Sequence, residues 1–434
     1  MTQFLRNFRS SCDGANRLIT IIALTVPALF LVVKSWVNTS LFLAFFICLW
    51  SGVRERRKFF VDRGARFWII LACLTAPFLA ELIAQIGRGA FVFSSLDGPS
   101  RAILAAGIFV YLSTKNITNI ISMLSLGSAI GILLVFISLQ IYPEYYWGGR
   151  AATYFVDPIT LPCYSVALLG VFLFGSWTPS TDMRVNLIIK IFLIFLTAYI
   201  AVESQSRSAW VAWIVLLQAY LLYALRGSYR NQLALQLVLI SSVVATFYSV
   251  DIFRERTVEA FGGLISFLTE GGGQNTSTGQ RLVMLLVDIE LVRLYPFFGL
   301  PDGVMPTFAD LRSLVPSLTE EIYVIKTLAG SHSELSGQVV RKGILLGLFS
   351  LWGLFFYPAY LFLWKYKGWI FSCKRDECIG VGLLISVVVS ALFIQVFNLK
   401  MTMSFYSLVM SFILAHLHRQ LELQEENRSS IKTL

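Results

Sequence analysis

Histidine and cysteine are scarce in this chain, which has three histidines and six cysteines among 434 residues. No cysteine lies in residues 252–341, the longest polar stretch, so no disulfide framework stabilises that stretch. The chain also lacks the motif Asp-x-Asp, and its nearest approximation, Asp288 and Glu290, would point two carboxylates in different directions from one helix. These absences argue against a metal site, and we expect neither a metal nor another cofactor.

Charged residues are also few. They make up 14% of the chain, whereas hydrophobic residues make up 56% and the mean hydropathy is +0.72, which excludes a soluble globular protein. Because a bilayer core about 30 Å thick needs roughly 20 apolar residues per helix, this composition predicts an all-α polytopic membrane protein with about twelve transmembrane helices. The predicted spans are residues 17–34, 36–51, 66–86, 98–113, 117–141, 159–177, 184–203, 208–225, 232–250, 342–364, 378–398 and 401–418.

The net charge of +10 comes mainly from basic residues in short loops. If the N-terminus is cytoplasmic, the inner loops hold more Lys and Arg than the outer ones, as in the run Arg54–Lys58. Nucleic-acid binding therefore explains the charge poorly, and we expect no nucleic-acid partner. The chain divides into transmembrane helices 1–9 (1–251), a large periplasmic helical loop (252–341), transmembrane helices 10–12 (342–418) and a cytoplasmic tail (419–434).

The large loop contains signals for several helices. The glycine-rich segment 271–279 is typical of a flexible linker, and Ser277 or Thr278 should cap a helix over residues 280–294. Short helices are predicted at 307–314 and 318–328. We expect an apolar face of the first helix, formed by Leu282, Leu285, Leu286, Ile289 and Val292, to pack against the bundle or to lie at the membrane interface. The loop is thus predicted to be a helical cap over the membrane domain.

Three polar segments on the outer face could carry chemistry, and each also has a plainer interpretation. Arg207, in the link Glu203–Trp210, could anchor a helix end by snorkelling. Arg281 could be a solvated loop arginine, and His332 could be an ordinary exposed histidine. Taken together, one candidate base and two arginines beside a membrane indicate an enzyme that works at the membrane surface.

The order of these motifs resembles the O-antigen ligase family and, more broadly, the O-antigen polymerases. The resemblance rests on Ser-Arg-Ser-Ala-Trp at 206–210, Gly-Gln-Arg at 279–281 and His-Ser-Glu-Leu at 332–335. It covers residues 150–345, and the layout of the spans extends it to the whole chain. The family more usually has Asn where this chain has Ser333. The resemblance implies a glycosyltransferase of GT-C-like architecture that transfers O-antigen from undecaprenyl diphosphate to a sugar hydroxyl of lipid A–core.

The chemistry of this reaction assigns roles to the residues. Guanidinium groups make bidentate, permanently charged bonds to phosphate, so Arg207 and Arg281, with Arg150 as a third, should hold the diphosphate. His332 should act as general base on the acceptor hydroxyl. A helix beginning at Ser331 would lower its pKa through the helix dipole. The supporting residues Asp288 and Glu334 should orient the arginines or the histidine, in a metal-free reaction that inverts the anomeric carbon.

Other functions stay open at this point. An O-antigen polymerase or a protein O-oligosaccharyltransferase would use the same donor and differ in its acceptor, which the sequence does not identify. A polytopic transporter is the alternative from another class, although transporters place ionisable residues near the bilayer centre. The preferred interpretation implies the inner membrane of a Gram-negative bacterium, a periplasmic active site, and three partners: the lipid-linked O-antigen, the lipid A–core acceptor and membrane lipids.

Overall fold

The structure, a computed structural model, describes residues 14–55, 63–115, 119–146, 149–175, 177, 182–225, 228–270, 276–301, 303–365, 378–397 and 399–432. The basic residues 56–58 and the glycine-rich part of the predicted linker, 271–275, lie outside the described residues. The elements are α1 Gly14–Leu29, α2 Trp36–Arg54, α3 Ala65–Arg88, α4 Phe93–Leu112, α5 Ile120–Ile141, β1 Glu144–Tyr146, β2 Arg150–Ala152, α6 Thr160–Phe174, α7 Met183–Glu203, α8 Arg207–Ala224, α9 Tyr229–Ser249, α10 Asp251–Glu270, α11 Ser277–Leu294, α12 Phe308–Leu314, α13 Glu320–Ala329, α14 Glu334–Lys342, α15 Ile344–Leu363, α16 Ile379–Ala391 and α17 Lys400–Lys432.

The apolar helices fit a polytopic membrane protein. Among the described residues, eight helices are long and apolar enough to cross a membrane, namely α2, α3, α5, α7, α8, α9, α15 and α17. Three further helices, α1, α6 and α16, are apolar but shorter. With α4, a helix lies at each of the twelve predicted span positions. The chain is therefore mostly helical, as predicted, although α17 runs without a break from the last predicted span into the C-terminal tail.

Three elements differ from the predictions. Helix α10 forms within the polar loop, where no helix was predicted, because charged residues lie between the apolar ones in its sequence. A short antiparallel ribbon, β1–β2, adds strand to a fold predicted to be all-α. Helix α16 ends at Ala391, well before residue 398, and the chain from Leu392 to Phe397 forms a turn. This turn leaves backbone groups available to bind the end of the large loop.

Helix α6 lies at the centre of the bundle and is buried from Leu161 to Phe174. It crosses α16 where Gly170 meets Gly382, and a side chain on either glycine would collide with the carbonyl group of the other. Small residues allow such close helix contacts in apolar surroundings, where van der Waals packing is the main attraction. From the same helix, the Tyr164 hydroxyl donates to the carbonyl oxygen of Val396 at 2.8 Å, which fixes the turn after α16.

Polar side chains gather at two ends of the bundle. At the first, which we call the loop end, Lys400 at the start of α17 pairs with Asp97 near the start of α4. At the second, the tail end, Lys115 and Glu55 pair at 2.7 Å just beyond the ends of α4 and α2. Helices α4 and α17 therefore both begin at the loop end, and α2 and α4 both end at the tail end.

Helices α11 to α14 form a cap at the loop end with a small core of its own. The residues of α11 that are buried in this core are Val283, Met284, Val287 and Leu291, against Leu311, Ile322 and Val340. On the predicted apolar face, Leu285, Leu286 and Ile289 are exposed and do not pack against the bundle, so the membrane interface is the alternative that stays open for them. Since α11 is apolar on two faces, periodicity alone does not decide which face is buried. Its N-cap is Thr276, one residue before the predicted pair, and accepts from the Gly279 amide at 3.1 Å.

Candidate functional site

A cavity of about 530 Å³ lies between the cap and the bundle at the loop end. Arg207 of α8, Arg281 of α11 and His332, just before α14, all line it. Much of the remaining wall is apolar and is formed by Val211, Ala260, Leu282, Leu285, Leu392 and Phe393. The fold thus brings together three candidate residues that are separated by up to 125 positions in the sequence (332 − 207).

Arg207 begins α8 directly after a tight turn. In that turn Gln205 has a φ of 50°, a left-handed conformation that costs on the order of 1–3 kcal/mol outside glycine and needs support from its surroundings. The support comes from Arg256 of α10, which donates to the Gln205 side-chain oxygen at 3.1 Å. Arg207 itself donates to the Arg256 carbonyl at 3.3 Å and to the Thr278 hydroxyl at 3.4 Å. It therefore joins three helices beside the cavity, which the snorkelling interpretation does not explain.

Arg281 lies in the first turns of α11. Among the described residues its guanidinium group has no hydrogen-bond or ion-pair partner. Burial, followed by the positive charges of Arg207 and Arg150, lowers the pKa of Arg281 to about 10. The side chain stays charged at neutral pH, and its donors are available to an anion in the cavity. A solvated loop arginine would not be desolvated in this way.

His332 presents an imidazole to the same cavity. Neither ring nitrogen has a partner within the described part of the chain. Burial lowers its pKa most, and the charges of Arg281 and Lys326 lower it further, to about 4. The ring is therefore neutral at physiological pH and can accept a proton. An exposed, ordinary histidine would keep a pKa near 6.5.

The local cause of this shift differs from the prediction. The helix after His332 begins at Glu334, not at Ser331, and Ser333 is its N-cap, accepting from the Leu335 amide at 3.2 Å. Burial and neighbouring cations, not a helix that starts at Ser331, keep the imidazole neutral. Ser and Asn are about equally good N-caps, so Ser333 fills a position at which Asn would cap the helix equally well.

Asp288 forms a buried ion pair with Lys326 of α13, and both side chains are 3% exposed. Its two carboxylate oxygens also accept from Ser331 at 2.9 Å and from Ser336 at 2.7 Å. These two serines lie on either side of His332 in the sequence. Asp288 therefore holds the segment that carries the imidazole, and its hydrogen bonds go to that segment and not to the arginines.

Glu334 binds the turn after α16. Its carboxylate accepts from the Phe397 amide at 3.0 Å, and its own amide donates to the Ile394 carbonyl at 3.1 Å. Beside it, the Ser333 hydroxyl donates to the Ala391 carbonyl at 3.0 Å. These bonds attach the start of α14 to the membrane bundle. His332 is thus held from the cap by Asp288 and from the bundle by Glu334.

Arg150 lies on β2, next to the cavity but outside its lining. Burial lowers its pKa first, and the charges of Arg256 and Arg207 lower it further. Its Nε atom is buried without a hydrogen-bond partner in the described structure. Arg256, which sequence reasoning missed, pairs with Glu259 at 3.1 Å. Arg207 and Arg281 thus line the cavity, and Arg150 and Arg256 lie near Arg207 but outside the lining.

Lys326 is the other residue that sequence reasoning missed. It is the only lysine in residues 252–341, and it lies one turn after Ile322 on the buried face of α13. A buried ammonium group needs a partner of opposite charge. That requirement, together with an aspartate on the neighbouring helix α11, was the available signal for the pair.

Among the described residues, no group of three or more His, Cys, Asp or Glu side chains is placed to hold a metal ion. The metal-free reaction remains a prediction. No protein family matches this chain, and no curated protein matches it. What can be concluded about the site therefore comes from its geometry and from its own residues.

Proposed function

We propose that this protein is a membrane glycosyltransferase that moves O-antigen from undecaprenyl diphosphate to a sugar hydroxyl of lipid A–core. The observation that carries the proposal is the shared cavity of His332 and Arg281, a neutral base and an unpartnered cation. Transfer from a diphosphate needs both groups. The resemblance of the surrounding motifs to O-antigen ligases supplies the identity of the substrates.

The donor would bind through its diphosphate and its lipid. Arg281 and Arg207 reach the cavity from α11 and α8, and Arg150 adds positive charge beside them. Guanidinium groups in a desolvated site bind phosphate strongly and do not lose their charge. The apolar wall, which includes Leu282 and Phe393, offers a surface for the first units of a polyprenyl chain.

In the proposed reaction, an imidazole nitrogen of His332 takes the proton of the acceptor hydroxyl. The hydroxyl oxygen forms a bond to the anomeric carbon, and the bond from that carbon to the diphosphate oxygen breaks. The diphosphate keeps the electron pair, and its charge is stabilised by the arginines. Direct displacement inverts the anomeric carbon, and the proton on His332 leaves to solvent. The scheme uses no metal and no cofactor.

The proposed location is the inner membrane of a Gram-negative bacterium, with the loop end on the periplasmic side. The excess of Lys and Arg in the loops predicted to be cytoplasmic supports a loop end on the periplasmic side. Both substrates would enter from the bilayer, so membrane lipids are partners as well.

The test is a transfer assay with purified protein in lipid nanodiscs, lipid-linked O-antigen and rough lipopolysaccharide, with and without EDTA. We expect a ladder of larger lipopolysaccharide in both conditions and an inverted anomeric configuration in the product. Extension of the lipid-linked glycan itself would assign a polymerase, and a glycosylated acceptor protein would assign a protein O-oligosaccharyltransferase. No product with any acceptor would contradict the enzyme proposal and favour a transporter.

A further inference from the structure

A second, smaller cavity of about 170 Å³ lies at the loop end, between α3, α4, α14 and the start of α17. It shares no lining residue with the larger cavity. Its size suits a small polar group and not a saccharide chain. The side chains important to its chemistry are those of Glu81, Ser94, Ser95, Arg341, Lys342 and Lys400.

Helix α14 links the two cavities. Its first residue, Glu334, follows His332 by two positions, and its last two, Arg341 and Lys342, line the second cavity. At a rise of 1.5 Å per residue, Arg341 lies roughly 10 Å along the helix axis from Glu334. Arg341 also contacts Glu334, with a nitrogen–oxygen distance of 3.5 Å. A single rigid helix therefore sets the separation between the candidate base and the second cavity.

The charge that lines this cavity is predominantly positive. Lys342 is 1% exposed and donates to the Pro77 carbonyl at 3.2 Å and to the Ser350 hydroxyl at 3.1 Å. Glu81, the one acidic residue in the lining, lies 3.8 Å from Lys342. Arg341 and Lys400 provide two further positive charges.

Those two side chains are accessible. The side chain of Arg341 is 44% exposed and that of Lys400 is 58% exposed. Lys400 pairs with Asp97, which lies outside the lining. Three cations thus line a cavity that has one carboxylate, and each of them also lies beside a carboxylate: Lys342 beside Glu81, Arg341 beside Glu334 and Lys400 beside Asp97. Glu334 and Asp97 lie outside the lining, and Arg341 and Lys400 can reach a ligand from the outside.

The start of α4 adds neutral donors. Ser94 and Ser95, in its first turn, line the cavity, and the side chain of the N-cap residue, Val92, makes no capping hydrogen bond. The first amide groups of a helix have no partner inside the helix and carry partial positive charge, which favours anions. Two hydroxyl groups beside such an end suit the oxygens of a phosphate. This feature agrees with the basic lining of the cavity, which is the stronger observation.

We propose that this second cavity binds a phosphoryl group of the lipid acceptor and so positions the acceptor hydroxyl toward His332. The inference rests on the proposed function, in which a second amphiphile must reach the base. Lipid A carries phosphate groups, and the acceptor of a polymerase carries a diphosphate, whereas a protein acceptor carries neither. The shared chemistry is a phosphoryl group attached to a membrane lipid.

The test compares binding of phosphorylated lipid A with that of its enzymatically dephosphorylated form to full-length protein in nanodiscs. We expect wild-type protein to prefer the phosphorylated lipid. Lys400→Gln should weaken its binding about tenfold, the effect of losing one charge-assisted hydrogen bond, while leaving binding of the dephosphorylated lipid unchanged. Lys400→Arg should restore the preference. Arg293→Gln, an exposed arginine on α11 that lines neither cavity, is the matched control.

Kinetics with the same lipids separate this inference from the proposed function. Lys400→Gln should raise KM for the phosphorylated acceptor about tenfold and leave kcat unchanged. Equal binding of both lipids by wild type, or no effect of Lys400→Gln, would overturn the inference. Competition by inorganic phosphate at the same concentration as the lipid would assign the site to a free anion instead. Phosphate-dependent binding without any transfer would count against the proposed function and not against the binding site.

Discussion

The two sides of the His332 segment differ in how their polar groups are satisfied. On the cavity side, His332 and Arg281 have no partner among the described residues. On the cap side, Asp288 accepts from Lys326 and from serines on both flanks of the histidine. Buried polar groups that serve only the fold are normally saturated. The contrast indicates that the hydrogen bonds of Asp288, which also lines the cavity, fix the geometry of the segment, whereas the fold does not use the polar groups of His332 and Arg281.

The hydrogen bonds of Asp288 and Glu334 also explain how His332 can be both desolvated and well placed. An unpartnered imidazole would be free to rotate if its backbone were mobile. Here the carboxylates of Asp288 and Glu334 fix the backbone from two directions, so the ring can remain without a hydrogen bond and still face the cavity. Rigid support of a reactive group by hydrogen bonds to its neighbours is a common requirement of active sites.

The largest effect is expected from removing the base. His332→Ala should lower kcat about 10²- to 10⁴-fold, the usual contribution of general base catalysis, measured as the initial rate of lipopolysaccharide extension. The melting temperature in detergent should stay close to wild type, because the ring has no hydrogen bond to lose.

His416→Ala provides the matched control, since His416 lies in α17 near the tail end, far from the cavity lining. That variant should keep full transfer activity. Equal activity of wild type and His332→Ala would show that His332 is not the base. The lack of a hydrogen-bond partner for its ring would then have no catalytic significance.

The next largest effect is expected on the cap side, where Asp288 has all its hydrogen-bond partners. Lys326→Met leaves the Asp288 carboxylate buried without its cation, which typically costs about 3–5 kcal/mol. We expect a clear fall in melting temperature together with reduced transfer, because the His332 segment loses its support. Scanning fluorimetry and the transfer assay on the same sample measure both quantities.

The double variant Lys326→Met with Asp288→Leu sharpens this test. Removing both charges should recover much of the melting temperature, because no unpaired charge remains. Transfer should stay low, since Ser331 and Ser336 still lack their acceptor. An unchanged melting temperature in Lys326→Met alone would mean that the pair is not a support of the cap.

Substitutions of Arg281 test whether the planar guanidinium group on the cavity side is required. Arg281→Lys keeps the charge but loses the planar fork of the guanidinium, and we expect kcat/KM for the lipid-linked donor to fall roughly tenfold. Arg281→Gln should be worse, by roughly another tenfold. Arg293→Gln, on the exposed side of the same helix, should behave as wild type. Identical donor kinetics in all three variants would remove Arg281 from the donor site.

Sequence reasoning predicted a mostly helical membrane protein, because hydropathy reports directly on apolar helices, and eight of the described helices are long and apolar enough to cross a membrane. It placed α11 from its capping residues, and it predicted short helices at 307–314 and 318–328, where α12 and α13 form. It did not identify the face of α11 that packs into the core of the cap, where Val283 and Val287 are buried while Leu285 and Leu286 are exposed. Two apolar stripes on one helix are equivalent until a partner surface exists, and only tertiary contacts supply that surface.

The candidate residues also include some that the sequence predicted and some that it missed. Arg207, Arg281 and His332 were found from short motifs, and the fold places them at one cavity. Lys326 was missed, because its importance depends on a contact 38 positions away with Asp288. Single-sequence patterns reveal residues that are unusual in their own segment. They do not reveal a residue whose role is defined by a distant neighbour.

The smallest effect, and the most specific one, is a shift in pH dependence. Burial and the charges of Arg281 and Lys326 hold the pKa of His332 near 4, so the neutral, basic form is present above that pH and is lost as the pH falls through it. We expect kcat/KM to fall only as the pH is lowered toward this pKa. In Arg281→Gln one positive charge is gone, so the pKa of His332 should rise and the acid limb should move to higher pH.

With three histidines in the chain, NMR of histidine-labelled protein can follow the titration directly, with His332→Gln to assign the signal. Bound diphosphate should move the limb in the same direction, because its negative charge offsets the arginines. A limb that stays in place in Arg281→Gln would mean that the arginine and the histidine do not share the cavity electrostatically.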